Sequence, residues 1–427
     1  MPERPHILWI VTTQWRAQAC GYAGDPNART PALDRLAAAS IDFAQAVSPH
    51  PFGPFARAAL LTGRPSPENG VRDYFDPLPA QAPTIAHLLN AVGYETGFFG
   101  KWHLARRDPA APLVGEAHAK ILVPVNERGG FAHWEGFESG FLLNDPWLHG
   151  TDRPVPTQFP GYQSDVLGAR ARDWIAAQTG HSRPWFALVS LEPPHPPYAA
   201  PAGVEPAAPA DIILAPSVPR GGEIEARARQ ELAGYYAQIE ATDRAIGALL
   251  DGLRSDPATA ARTIVVFTSV HGDMHGAHGL FRKGWPYEES VRVPLLVQLP
   301  AAWGGHGGVR TAQLASLLDL HRWTAAWAGV EGGPAPGEIG PPPGEAQLIS
   351  MPSVVRQPLQ CDRLWHGVRT RRRKLILSAD GAPWLFFNLE ADPAEMVNRA
   401  EDPAAAAEIA RLRAEFLPES PAADGRR

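Results

Sequence analysis

His6-Ile-Leu-Trp-Ile-Val11 is a nearly continuous apolar run close to the start of the chain. A half-exposed strand would alternate apolar and polar residues, so an unbroken run suits a parallel strand covered on both faces. Outward from this strand, helical and extended patterns alternate. Thr30-Pro31 opens a helix at Pro31 with Thr30 as its N-cap, and Ala58 to Thr62 reads as a second helix stopped by Gly63. Thr84 to Ala91 is a third helix, again with a Thr cap, and Tyr94 to Phe99 is a strand. Trp185 to Leu191, Thr263 to Ser269 and Pro294 to Leu299 read as further strands. Between them, Glu223 to Leu253 forms a long amphipathic helix carrying Tyr235, Ile239, Ile246 and Leu250. Such alternation predicts an α/β fold with a mostly parallel central sheet flanked by helices.

Past residue 330 the pattern changes. Glu331 to Glu345 is dense in Gly and Pro and reads as a loop or linker. Leu364 to Arg369, Lys374 to Ser378 and Trp384 to Leu389 read as short strands, the last two joined at an Asp380-Gly381 hairpin turn. Pro403 to Phe416 is a closing helix that packs Ile409, Leu412 and Phe416, and Ser420 to Arg427 is expected to fray. The expected division is therefore a large α/β domain over residues 1–345 and a small antiparallel α+β domain over 346–427. Arg371-Arg-Arg-Lys374 reads as a solvated strand edge.

At 427 residues the chain exceeds the roughly 250–300 residues that one core supports. Lys and Arg number 39 against 45 Asp and Glu, a formal charge of −6, which argues against coating a nucleic acid. Two cysteines, Cys20 and Cys361, exclude a disulfide scaffold and a Cys-rich zinc site. No apolar stretch nears the roughly 18–20 residues of a membrane span, and the start lacks a signal-peptide pattern, so a cytoplasmic protein with no membrane partner is expected.

Four segments carry the chemistry: Ile10-Val-Thr-Thr-Gln-Trp-Arg16, Ala56-Arg-Ala-Ala-Leu-Leu-Thr-Gly-Arg64, Gly93-Tyr-Glu-Thr-Gly-Phe-Phe-Gly-Lys-Trp-His-Leu104, and His271-Gly-Asp-Met-His-Gly-Ala-His-Gly-Leu-Phe-Arg-Lys283 running into Tyr287-Glu-Glu-Ser-Val-Arg-Val-Pro294. Pro193-Pro-His-Pro196 lies between them. In content and order these segments resemble the signatures of the sulfatase family within the alkaline-phosphatase-like superfamily, in particular its arylsulfatase and phosphonate monoester hydrolase branch. The resemblance implies hydrolysis of sulfuric, phosphoric or phosphonic esters. It also implies a divalent cation (calcium or manganese) held by acidic residues at the strand ends, and a nucleophile in a Cys-x-Pro-x-Arg motif.

Carried over position by position, the resemblance makes Arg57 the motif arginine and puts Gly53 at the nucleophile's place. A second register, with Phe55 inserted, would put Phe52 there. Neither offers a nucleophile; Ser48, the nearest hydroxyl on the N-terminal side, lies outside both registers. The metal-binding acids are replaced by Thr13 and Val270, leaving Gln14 and His271 as neutral remnant ligands. Hard cations want carboxylate oxygens, so metal binding should be weak or lost. The cationic set is intact: Arg57, Lys101, His103, His195 and Lys283 all stand at matched positions.

These losses and retentions predict a catalytically degenerate member with a pocket for a small anionic ester, sulfate or phosphate. Two alternatives stay open. One is an active hydrolase with a non-standard nucleophile or metal site, for which His271, His275 and His278 form a candidate cluster beside Asp273. The other is a non-catalytic subunit partnering an active paralogue; an oligomer is compatible with either. Trp15, Trp102 and Trp285 flank the site segments and read as core packing.

Overall fold

The structure, a computed structural model, describes residues 4–303, 307–330, 339–340, 342–355 and 357–417. The strands are β1 (His6–Thr12), β2 (Ile41–Val47), β3 (Glu95–Lys101), β4 (His133–Phe137), β5 (Trp147–Gly150), β6 (Thr157–Gln158), β7 (Trp185–Ser190), β8 (Thr263–Ser269), β9 (Leu295–Gln298), β10 (Val309–Ser316), β11 (Ala346–Met351), β12 (Trp365–Thr370), β13 (Arg373–Ser378) and β14 (Pro383–Asn388). The helices are α1 (Pro31–Ala37), α2 (Gly53–Thr62), α3 (Ile85–Ala91), α4 (Glu116–Ala119), α5 (Gln163–Ala177), α6 (Gly222–Arg254), α7 (Pro257–Ala261), α8 (Glu288–Val291), α9 (Leu317–Trp327) and α10 (Ala406–Phe416).

The first ten strands form one sheet in the order β10-β2-β9-β8-β1-β7-β3-β4-β5-β6. Its central run from β8 to β4 is parallel throughout, whereas β9 is antiparallel to both neighbours. β1 lies in the middle, and all seven of its residues are buried. Successive side chains point to opposite faces: Ile7, Trp9 and Val11 enter one core, Leu8 and Ile10 the other. That double burial is why the opening run carries no polar alternation. Leu33 of α1, Leu167 of α5 and Tyr235 of α6 cover one face, while Phe55 of α2, Leu89 of α3 and Trp323 of α9 cover the other.

β11 to β14 form a separate antiparallel sheet in chain order. Its inward residues Ile349, Met351, Trp365, Ile376, Leu385 and Phe387 belong to the same core as Trp9 and Phe55. At about 1.5–3 kcal/mol for each fully buried large side chain, this shared core binds the two sheets strongly. The hairpin turn falls where expected, with Gly381 at φ 82°. Residues 331–338 and 341 of the Gly/Pro-rich stretch, and the tail from 418, lie outside the described residues.

Three local expectations are corrected. α2 begins at Gly53, not Ala58; all ten of its residues are buried, so no amphipathic stripe marks its first turn. Thr30 precedes α1 but does not cap it. Its hydroxyl donates to Asp34 Oδ1 (3.0 Å), and the free amides of Ala32 and Leu33 go instead to the Asp243 carboxylate of α6 at 2.9 and 2.8 Å. The basic run is not wholly a solvated edge: Arg371 and Arg372 are exposed, but Lys374 is buried between Glu288 (2.8 Å) and Glu395 (2.6 Å).

Candidate functional site

β1, β3, β7 and β8 end level with one another: Thr12 is in register with Ser269, and Ser190 with both Val11 and Gly100. Open α/β sheets gather ligands at this carboxyl edge. There Thr13, Gly53, Lys101, His103, His195, His271 and Lys283 line one tight cavity of about 10 Å³, joined by Phe52, Tyr74, Phe141 and Gln357. Residues far apart in sequence thus come together at this edge, with Arg57 and Gln14 outside the lining. Val270 instead turns into the apolar core.

Arg57 lies beneath this cavity. Its guanidinium donates to Thr13 Oγ1 (2.8 Å), Ser190 Oγ (2.6 Å) and the Lys101 carbonyl (3.2 Å). Those partners are all uncharged, and burial lowers its pKa to about 10. Lys101, at the end of β3, pairs with Glu192 at 2.5 Å; burial lowers its pKa to about 8 against the pull of that carboxylate. Lys283 donates to Gln14 Oε1 (2.5 Å) and to His195 Nε2 (3.2 Å), and burial together with nearby Lys101 lowers its pKa to about 7.

Gln14 and His103 both adopt left-handed backbone conformations, φ 64° and 60°, which non-glycine residues accept only where the surroundings hold them. Tyr235 OH donates to the Gln14 carbonyl (3.0 Å), and His103 N donates to the Glu138 carbonyl (2.9 Å). The His103 ring is fixed on its far edge by Arg107, whose Nη1 donates to Nε2 at 2.8 Å. Arg107 also faces Glu138 (3.3 Å) and stacks over Tyr74. Burial raises the Glu138 carboxyl to about 7, although Arg107 and the amides of Ala105 and Leu104 oppose that shift.

Do these groups fit the divalent cation that the resemblance implies? Thr13 Oγ1 donates to the Leu191 carbonyl and accepts from Arg57; Gln14 Oε1 accepts from Lys283; Val270 offers no donor atom. The nearby carboxylate of Asp273 is committed to Gln14 Nε2, Tyr198 OH (2.7 Å) and the His275 amide (3.1 Å). Burial would raise it, but His275, Arg282 and Tyr198 outweigh burial and hold it at about 2. A hard cation needs several free oxygens, and here two cations already occupy the acceptors. The residues do not fit the metal.

The three histidines of the candidate cluster do not converge either. His271 Nδ1 donates to the Gly272 carbonyl (2.8 Å), His275 lies against Tyr198 and Tyr235, and His278 stacks on Tyr287. Among the described residues no group of three His, Cys, Asp or Glu stands where it could hold a metal. Trp15 and Trp102 are core residues, and Trp285 packs against the core. The aromatic lining comes instead from Phe52, Tyr74 and Phe141.

The motif reading missed Arg107, Glu138 and Glu192. Glu192 carried a signal: an acid directly after a buried strand and three residues before His195. Arg107 and Glu138 sit in loops with no periodicity to reveal them.

One pH dependence follows. An anion binds the charged Lys283 and Lys101, so sulfate, whose own charge stays fixed, should bind progressively more weakly as pH rises through about 7 and then about 8. Titration calorimetry at about pH 6 and about pH 9 checks this; equal affinities would remove both lysines from the contact.

Residues 5–330 match the family model described as Sulfatase. The Ulvan-active sulfatase of Formosa agariphila is 33% identical over 415 residues, covering 93% of this chain and 77% of that protein. Among solved structures, yidJ of Bacteroides fragilis superposes with a TM-score of 0.85 at 24% identity, covering 97% of this chain and 95% of that one. The phosphonate monoester hydrolase of Agrobacterium radiobacter superposes at 0.75 with 21% identity, covering 97% and 95%.

Proposed function

The chain belongs to the sulfatase family, and from that premise we propose that it is a non-hydrolysing member whose pocket binds the anionic head of an ester, or free sulfate or phosphate. One observation carries the reading: Arg57 and Lys283 occupy with hydrogen bonds the acceptors, Thr13 and Gln14, that stand where a metal site would need free oxygens. Further support comes from Gly53, which brings no side chain to the nucleophile's place.

What remains is a site suited to holding charge. Lys101, Lys283 and the cation beneath them, Arg57, offset an oxyanion. The cavity is tight, about 10 Å³ and close to the room one water needs, so its side chains would have to part to take an oxyanion head. A wider cleft of 690 Å³ shares Gln357 with it and is also lined by Arg72, Gln360 and Asp362, giving the rest of an ester a place to lie.

The test uses nitrophenyl sulfate, phosphate and phosphonate esters with calcium, manganese or zinc added, and Arg57→Ala as the control. No turnover above the control is expected, together with saturable sulfate or phosphate binding by calorimetry. Metal-dependent hydrolysis that disappears in Arg57→Ala would replace this reading with an active hydrolase. Absence of binding by any anion would sink the anion-binding half.

A further inference from the structure

Neutral histidines present either a donor or an acceptor at each ring nitrogen, and their fixed partners decide which. Arg107 can only donate, so its bond to His103 Nε2 leaves the ring proton on Nδ1. That nitrogen is buried, has no hydrogen-bond partner, and faces Gly53. His103 therefore offers the cavity an N–H. His195 is the reverse: Nδ1 donates to the Pro196 carbonyl (2.8 Å) and Nε2 accepts from Lys283 (3.2 Å), so it steadies the ammonium and has nothing left for an occupant.

His271 is the exception in this cationic pocket. Its Nδ1 donates to the Gly272 carbonyl at 2.8 Å, which leaves a lone pair on Nε2. Nε2 is fully buried and has no partner. The cavity thus presents donors from Lys101, Lys283 and His103, and one unsatisfied acceptor.

Resting on the anion-binding reading, we infer that the pocket selects an oxyanion carrying a hydrogen, namely hydrogen phosphate or the protonated head of a phosphate monoester, over sulfate. Hydrogen phosphate accepts from the three donors and gives its O–H to His271 Nε2. Sulfate at neutral pH has acceptor oxygens only. It would set an oxygen lone pair against the His271 lone pair and leave a buried polar atom unpaired, which sites built for a hydroxyl reject strongly.

The experiment is calorimetric titration of the full chain near neutral pH, at constant ionic strength, with three anions: sulfate, phosphate and monofluorophosphate. The last is a phosphorus dianion without a hydrogen. Phosphate should bind at least about 10-fold more tightly than either of the others. Sulfate binding as tightly as phosphate would overturn the inference and leave the anion-binding reading standing, whereas no binding by any of the three would overturn that reading itself. Monofluorophosphate matching phosphate would show that phosphorus is selected, not the hydrogen, and would also overturn the inference. In His271→Ala the phosphate preference should collapse to within about 2-fold; a folded variant that keeps the full preference sinks the role of His271. The three-anion comparison on the unaltered chain decides the matter even if that variant fails to fold.

Discussion

Lys374→Met should lower the free energy of unfolding by about 3–5 kcal/mol, the usual cost of leaving a buried charge without its partner. The ammonium is fully buried, 2.8 Å from Glu288 and 2.6 Å from Glu395, and donates to the Pro286 carbonyl at 2.9 Å. Glu288 keeps Arg369 at 2.9 Å after the change, so the penalty falls on Glu395. Burial already raises that carboxyl to about 7. The loss should therefore be largest above neutrality and shrink toward pH 5, where a protonated Glu395 no longer needs a counter-charge. Urea unfolding at both pH values reads it. Arg372→Ala is the matched control: this side chain is exposed and its ion pair with Glu390 spans 3.7 Å, so its loss should stay within about 0.5 kcal/mol. A Lys374→Met loss as small as that of the control would mean that the cluster holds nothing together.

The second large effect runs against helix propensity. Gly234→Ala in α6 should gain about 1 kcal/mol from backbone preference, yet a net loss of about 3 kcal/mol is expected. A Cβ at this position would stand 1.8 Å from the Tyr198 carbonyl oxygen, which is backbone and cannot swing aside. The Tyr198 segment also carries His195, and Gln238 of α6 ties it through the His195 amide (2.9 Å) and the Pro197 carbonyl (2.8 Å). Displacing it should weaken phosphate binding at least about 10-fold, because a misplaced His195 no longer steadies Lys283. Gly252→Ala in the same helix is the contrast. Its Cβ would meet only the flexible Arg172 side chain at 2.5 Å, so that variant should be near neutral or slightly more stable. Thermal scans of both, with phosphate titration of Gly234→Ala, separate backbone collision from general sensitivity of α6.

The parts of the fold legible in sequence are those with a one-dimensional signal. β8 falls on Thr263–Ser269 as its β-branched run suggests, and Thr84 caps α3 by accepting from the His87 amide. The cationic residues were legible because short motifs carry them: Arg57 within α2, Lys101 and His103 at and just past the end of β3, and His195 and Lys283 in loops beyond β7 and β8. The groups that set their chemistry were not. Arg107 decides the His103 tautomer from four residues away, in a loop, and Asp243 caps α1 from another helix. Lys374 looked like a surface charge because its two carboxylate partners, Glu288 and Glu395, lie far from it along the chain. Tertiary partners of this kind leave no periodic trace.

Gly53 has a further consequence in evolutionary terms. A Cβ there would stand 3.0 Å from His103 Nδ1 and 3.3 Å from Cε1, while Arg107 pins the opposite edge of that ring. A codon change introducing a nucleophile would therefore crowd the ring and gain no metal, because Thr13 and Val270 supply no carboxylate. On the non-hydrolysing reading proposed above, one substitution at this position would not be enough to install hydrolysis.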